Sequence, residues 1–254
     1  MEELQRRARN PITGKTEIVD NISYSEWKKQ HDVTNKEKGA IISLNIPNNI
    51  RGFYKYAKQN NLLKSVTEFG ENENGVIRGQ KLNEILGYDR KPTVVKKEEF
   101  EKLASNLKFG KLYRGISADS NNEAEKYINE FKNGKLYAGK GVYGNGTYVA
   151  YGEKGFNIVN TNYTNENGKI MTMLLNDDAK TIKYSEIFKM NQKELKELVE
   201  NEVSKEFEMA VLRDIGYYAS IKGYDAIILD EFMAEMNNQP YIVILNRGKV
   251  IISE

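Results

Sequence analysis

The chain has 254 residues, a formal net charge of +2, no Cys and a single His. These numbers exclude disulfides, thiolate zinc sites and multi-histidine metal centres, and they argue against a histidine-based triad. Acids and bases are well mixed, so there is no electrostatic footprint for nucleic acid, and no apolar run approaches the ~18 residues that a membrane span needs.

The N-terminal MEELQRRARN is charged and does not read as a secretory leader. Residues 1–36 are polar, with a turn signal at Asn10-Pro11 and Thr13-Gly14 and a candidate short helix at SYSEWKKQ. They are expected to form a mobile or loosely docked extension, on which Trp27 serves as an anchor and His31 faces solvent. Residues 37–110 form a helical part: apolar spacing at Ile50, Phe53, Tyr54, Ala57 and Leu62 predicts one helix. RGQKLNEILGY predicts a second, stopped by Gly87, and KKEEFEKLASNL a third beyond the break at Lys91-Pro92.

From residue 111 the pattern changes to short strands. KLYRGIS, KLYAG, GTYVAY, KIMTMLLN and KTIKYS read as strands, the last two as a pair turned by NDDA. That turn is the reading preferred for Asp177-Asp178 over a metal pair. NNEAEKYINEFKNG reads as an amphipathic helix ended by Gly134. A long helix is predicted from Gln192 to Ile221, with Leu195, Leu198, Val199, Val203, Phe207, Val211, Ile215 and Tyr218 as its stripe and Gly223 as its stop. DAIIL, YIVIL and KVIIS close the chain as strands. Asn246-Arg247-Gly248 is expected to make the last turn, the alternative being that Arg247 contacts substrate or a ligand phosphate. Short strands crossed by a few helices predict the α+β class, with residues 111–254 as the core.

Three segments carry chemistry. Leu112-Tyr113-Arg114-Gly115 puts a guanidinium on a strand, where burial is costly without a phosphate or another partner, beside a glycine whose backbone a ligand can approach. Tyr143-Gly144-Asn145-Gly146-Thr147-Tyr148 is a Gly-rich loop that opens a strand; it lacks the Lys-Ser/Thr of a phosphate-binding loop and the helix of a dinucleotide fingerprint. In the third, an acidic and amide-rich loop holding Glu231, Glu235 and Gln239 joins two strands. Taken singly, an edge-strand Arg, a hairpin turn and a solvated loop are the plainer readings. Sixteen Tyr provide flat faces with polar tips, most of them expected in strands and core.

The order of these segments resembles that of the mono-ADP-ribosyltransferases, with the phage-encoded members the nearest likeness. Strand-Arg-Gly is followed about thirty residues later by Gly-x-Gly-Thr-Tyr, then by a late strand with a polar residue at its start. The resemblance covers about residues 50–254. It implies an ADP-ribosyltransferase-like mixed or antiparallel β core of two small sheets, flanking helices and an N-terminal helical extension. It implies NAD⁺ as a substrate with no metal, and a macromolecular acceptor expected to be protein. It also implies site roles. Arg114 would meet a ribose or phosphate, Gly115 would grip the nicotinamide amide through its backbone, and Tyr148 would stack on the nicotinamide. Tyr113, Tyr143, Gly146 and Thr147 would complete the binding surface. The family's third motif supplies a Glu at the start of its strand; here Asn237, Asn238, Gln239 and Pro240 precede Tyr241, so Gln239 or Glu235 would take that catalytic place. ARNPITGKTEIVDNISYSEW resembles the C-terminal end of phage minor head morphogenesis proteins, which implies phage head proteins as partners and the host cytoplasm or the virion as location. The alternatives are an NAD⁺- or ADP-ribose-binding module, or a phage head structural module, without turnover.

Overall fold

The computed structural model describes residues 7–9, 16–18, 46–67, 71–72, 75–76, 82–88, 91–135, 139–141, 143–198, 202–229 and 241–254. The chain divides into two units, residues 1–42 and 43–254. In the first, β1 (Arg7–Arg9) pairs antiparallel with β2 (Thr16–Ile18). The helix predicted at SYSEWKKQ, Trp27 and His31 lie outside the described residues.

The second unit opens on α1 (Ile50–Gln59). The Asn49 side chain accepts from the Gly52 N–H and so satisfies one of the helix's free donors. Its apolar spacing buries Ile50, Phe53 and Ala57. Next come α2 (Leu63–Thr67), a short pair β3 (Glu71–Asn72) with β4 (Gly75–Val76), and α3 at 82–85. Thr93–Val95, marked in the sequence only by the proline break before it, is strand β5, and α4 (Lys97–Asn106) runs on from it. The remaining strands are β6 (Leu112–Ile116), β7 (Gly139–Gly141), β8 (Gly144–Tyr151), β9 (Lys169–Leu175), β10 (Thr181–Lys183), β11 (Ala226–Ile228), β12 (Tyr241–Ile244) and β13 (Val250–Ser253). Between them stand α5 (Asn121–Lys132), capped by the Ser120 hydroxyl, α6 (Gly152–Asn162) and α7 (Tyr184–Glu197). A short α8 (Lys205–Phe207) runs into a π-turn at Glu208–Leu212, and α9 (Ile215–Ile221) comes after it.

This is an α+β fold. Its main sheet is mixed, with strand order β10-β11-β12-β8-β6-β9-β13-β5 and β7 paired to β8 beside that path. The expected division into two small sheets is replaced by one hydrogen-bonded path. The link between its halves is short: β6 meets β8 only through Leu112↔Tyr151 and Tyr113↔Ala150. β10 does not pair with β9 as the NDDA turn predicted, but runs parallel to β11, while β9 sits between β6 and β13. NDDA is still a turn, tied down by the Lys108 N–H on Asp177 and by Lys249 on Asp178.

Two apolar layers cover the sheet. One holds Phe53, Phe207, Tyr218 and Val243 with the helices around α9; the other holds Leu112, Phe131, Val149, Met173 and Ile244 with α5. Burying each such side chain stabilises the fold by roughly 1.5–3 kcal/mol before entropy is counted. The predicted long helix is three pieces. Among its described residues, α7 starts at Tyr184, earlier than expected, and its C-cap Leu198 is extended. Asp214 breaks the helix again by accepting from the Tyr217 N–H as the N-cap of α9. The i, i+3, i+4 stripe persists across these breaks because all three pieces bury against one layer.

Candidate functional site

The strand pairings leave a gap in the sheet at the two Gly-containing motifs. β6 runs its whole length against β9, but it leaves β8 after Tyr113. β8 pairs with β7 through Gly144–Gly146 and with β6 only at Ala150 and Tyr151. On that edge Thr147, Tyr148 and Val149 have no strand partner among the described residues, nor do Arg114, Gly115 and Ile116 across from them. A splayed pair of strands leaves backbone donors and acceptors open to a ligand.

Strand alternation sends the motif residues to different faces. Leu112 and Ile116 pack in the Phe131 layer, so Arg114 lies on that face, as do Val149 and Tyr151 of β8. Tyr148 is on the opposite face, in the layer of Val243 and Tyr241. Tyr113 also turns away from Arg114 and meets the Phe156 ring edge-on at 5.1 Å. Gly115 is a glycine for lack of space: a methyl group there would strike the backbone of Tyr163, with the Tyr163 carbonyl carbon 2.7 Å away. Arg114 and Tyr148 therefore flank the gap from two sides, not one wall of a common pocket.

The Gly-rich loop is held by named bonds. The Tyr148 hydroxyl donates to the Gly144 carbonyl and accepts from the Tyr143 N–H. Burial pushes this hydroxyl well above the ordinary phenol range, against the pull of the Tyr143 N–H, so it stays protonated. Asp214 takes the Asn145 backbone N–H at 3.0 Å and also the Asn145 side-chain amide, which ties the loop to α9. Gly144 has φ +101 and lies against Gly216, where a side chain on either would collide with backbone. Gly146 does not share that conformation; its need is room, since a methyl group would meet Val243 Cγ1 at 2.5 Å.

A tyrosine cluster lines the Tyr148 face. The Tyr163 and Tyr241 hydroxyls stand 3.3 Å apart, and Tyr143 meets Tyr184 edge-on at 5.4 Å. Burial raises the pKa of Tyr241 above the phenol range, with Tyr163 and Tyr143 adding to it. Tyr163, Tyr184 and Tyr241 were not singled out from sequence. Their only signal was the high tyrosine content, because Tyr163 ends a helix that was not predicted. Thr147 is buried.

Arg114 is half-buried and forms no hydrogen bond or ion pair among the described residues, and burial lowers its pKa. Arg247, in the last turn, is buried. Glu231, Glu235 and Gln239 lie outside the described residues. Among the described residues no group of three or more His, Asp or Glu side chains converges as a metal site would require, and no helix is long and apolar enough to cross a membrane.

Set against protein-family models, curated proteins and solved structures, the chain matches none.

Proposed function

We propose that this chain is a mono-ADP-ribosyltransferase that breaks the nicotinamide–ribose bond of NAD⁺. The observation that carries the reading is the gap between β6 and β8. Arg114-Gly115 and Thr147-Tyr148, the residues that motif order picks out, are among those that lie on its two sides with no strand partner on the edge facing it among the described residues. A tyrosine-lined face, a cation unpaired among the described residues and backbone groups without a strand partner on the gap edge suit a ligand with a planar amide and a phosphorylated sugar.

In this reading Gly115 holds the carboxamide through its backbone, and Tyr148 with Tyr143 forms an aromatic wall. Arg114 binds a ribose or phosphate oxygen. When the C1′–N bond breaks, its electron pair leaves with nicotinamide and positive charge develops on the sugar, so catalysis rests on positioning and on electrostatics. A nucleophile on the acceptor then bonds to C1′ and loses its proton. Glu235 can take that proton; Gln239 can bond the ribose hydroxyl but cannot take a proton. Protein is the expected acceptor, and water would make the chain an NAD⁺ glycohydrolase. The N-terminal likeness to phage head proteins supports a phage setting, with the host cytoplasm or the virion as its place.

A second reading is favoured by the third segment. Asn237, Asn238, Gln239 and Pro240 stand where the family has Glu, which fits a module that binds NAD⁺ or ADP-ribose without turning it over. The deciding experiment is nicotinamide release from NAD⁺ by wild type, Arg114→Ala, Glu235→Gln and Gln239→Ala. Release by wild type that Arg114→Ala abolishes supports the transferase. Absence of release with NAD⁺ still bound supports the binding module.

A further inference from the structure

Asp214 stands between the π-turn Glu208–Leu212 and α9, and the chain leaves regular helix twice to put it there. The Arg213 N–H donates to the Glu208 carbonyl five residues back, at 3.1 Å, which is the bond of a π-turn. Asp214 itself is extended, with φ −102 and ψ 109. Single π-turns within helices are frequent at functional sites. From this position one carboxylate holds two elements. Oδ1 accepts from the Tyr217 N–H at 3.0 Å, which caps α9, and from the Asn145 N–H at 3.0 Å in the Gly-rich loop. Oδ2 accepts from the Asn145 side-chain amide. The short carboxylate reaches both because the two backbones touch. A methyl group on Gly144 would strike the Gly216 nitrogen, and one on Gly216 would strike the Asn145 carbonyl.

Capping α9 needs only the bond to Tyr217, and a Ser or Thr hydroxyl would supply it equally well. The bonds to Asn145 are additional. A carboxylate only accepts, so the Asn145 amide must turn its nitrogen toward Asp214. Its Oδ1 is then buried with no partner among the described residues, which costs stability. Loop position gives the arrangement a purpose. The Gly144 carbonyl accepts from the Tyr148 hydroxyl at 2.7 Å, and the Tyr143 N–H donates to that same hydroxyl at 3.1 Å. A shift of Gly144 and Asn145 therefore moves the tip of Tyr148. We infer that Asp214 is a positioning residue for the gap between β6 and β8: it clamps the Gly144–Gly146 loop to α9 and, through the Gly144 carbonyl, sets the Tyr148 ring in place before a ligand arrives. It acts through the loop and does not itself touch the ligand. The role of Tyr148 as a ligand wall rests on the NAD⁺ reading; the clamp on the loop does not.

The test uses the full chain with Asp214→Ser, Asp214→Asn, Gly216→Ala and Ser204→Ala, and circular dichroism confirms the fold of each. Two quantities are read: kcat/KM for nicotinamide release from NAD⁺, and hydrogen exchange of residues 143–148 without ligand. Asp214→Ser keeps a hydroxyl to cap α9 and loses the reach to Asn145. Ser204→Ala removes the cap of α8, where the Ser204 hydroxyl accepts from the Phe207 N–H at 3.2 Å, and leaves the loop untouched, so it controls for lost stability alone. Asp214→Ser is expected to speed exchange in the loop and to lower kcat/KM by about tenfold or more, the scale on which misplaced binding groups act. Ser204→Ala should change neither. Asp214→Asn should fall between, because its oxygen still accepts from the backbone and the Asn145 amide can turn to face it. Gly216→Ala should reproduce the Asp214→Ser result with the carboxylate intact, since its methyl group displaces the loop. If Asp214→Ser does not fold, Asp214→Asn and Gly216→Ala carry the comparison. Loop exchange equal in wild type and Asp214→Ser overturns the proposal, as does a kcat/KM that is unchanged or falls equally in Ser204→Ala. Wild type that releases no nicotinamide removes the transferase reading, and exchange alone then decides the clamp: faster loop exchange in Asp214→Ser keeps it, and equal exchange overturns it.

Discussion

The Tyr148 hydroxyl donates to the Gly144 carbonyl at 2.7 Å, so the aromatic residue proposed to meet the ligand also closes its own glycine loop. The same oxygen accepts from the Tyr143 N–H at 3.1 Å. Tyr148→Phe keeps the ring and leaves two partly buried backbone groups without partners. The expected loss is about 1–3 kcal/mol of unfolding free energy, the usual penalty for stranding such groups. Urea denaturation checks it, and a Phe variant as stable as wild type would show that water replaces the hydroxyl without loss.

Gly115 stands where β6 passes under the end of α6. A methyl group at this position would meet the Tyr163 carbonyl carbon and Cβ, each at 2.7 Å, and the first of these is backbone that cannot rotate away. Gly115→Ala should therefore displace the end of α6 and destabilise the fold by about 1–3 kcal/mol, the usual range for overpacking. Tyr163 moves with that helix end, so its contact with Tyr241 should also change. Thermal melting together with tyrosine fluorescence would detect both, and an unchanged melt would mean that the helix end yields freely.

Glu194 on α7 accepts from the Tyr218 hydroxyl at 2.6 Å and from Lys222 at 3.1 Å. Burial by itself would raise its pKa, but the Tyr218 and Lys222 bonds outweigh that and hold it below the ordinary carboxylate value. A carboxyl depressed in the folded state contributes stability above its unfolded pKa, and that contribution is lost as pH falls through the folded one. Glu194→Gln should thus be less stable than wild type at neutral pH, with the two curves converging as the pH drops through the carboxylate range. Urea midpoints measured from neutral to acid pH would test it; a constant difference at every pH would remove Glu194 as the source.

Local residue pattern, by itself, determined the α+β class and much of the element list. The spacing of Ile50, Phe53 and Ala57 marked α1, alternation marked β6, β8, β9 and β12, and Gly134 and Gly223, with φ +82 and +87, marked two helix stops. It also marked the residues at the gap, because Arg next to Gly on a strand, and Gly-x-Gly before a tyrosine strand, are unusual in short range. Helix α6 was missed because GEKGFNIVNTN is poor in helix formers, and only burial of Gly155 and Val159 against the sheet holds it. Tertiary structure alone decided which strands pair, that β6 and β8 part after Tyr113, that Arg114 and Tyr148 take opposite faces, and that Arg247 is buried beside a second cation. Periodicity records which side of its own element a residue occupies. It carries no record of the partner strand or of a charge that arrives from far along the chain, as that of Arg114 does for Arg247, because those depend on long-range ladders whose free energy is shared across the whole sheet.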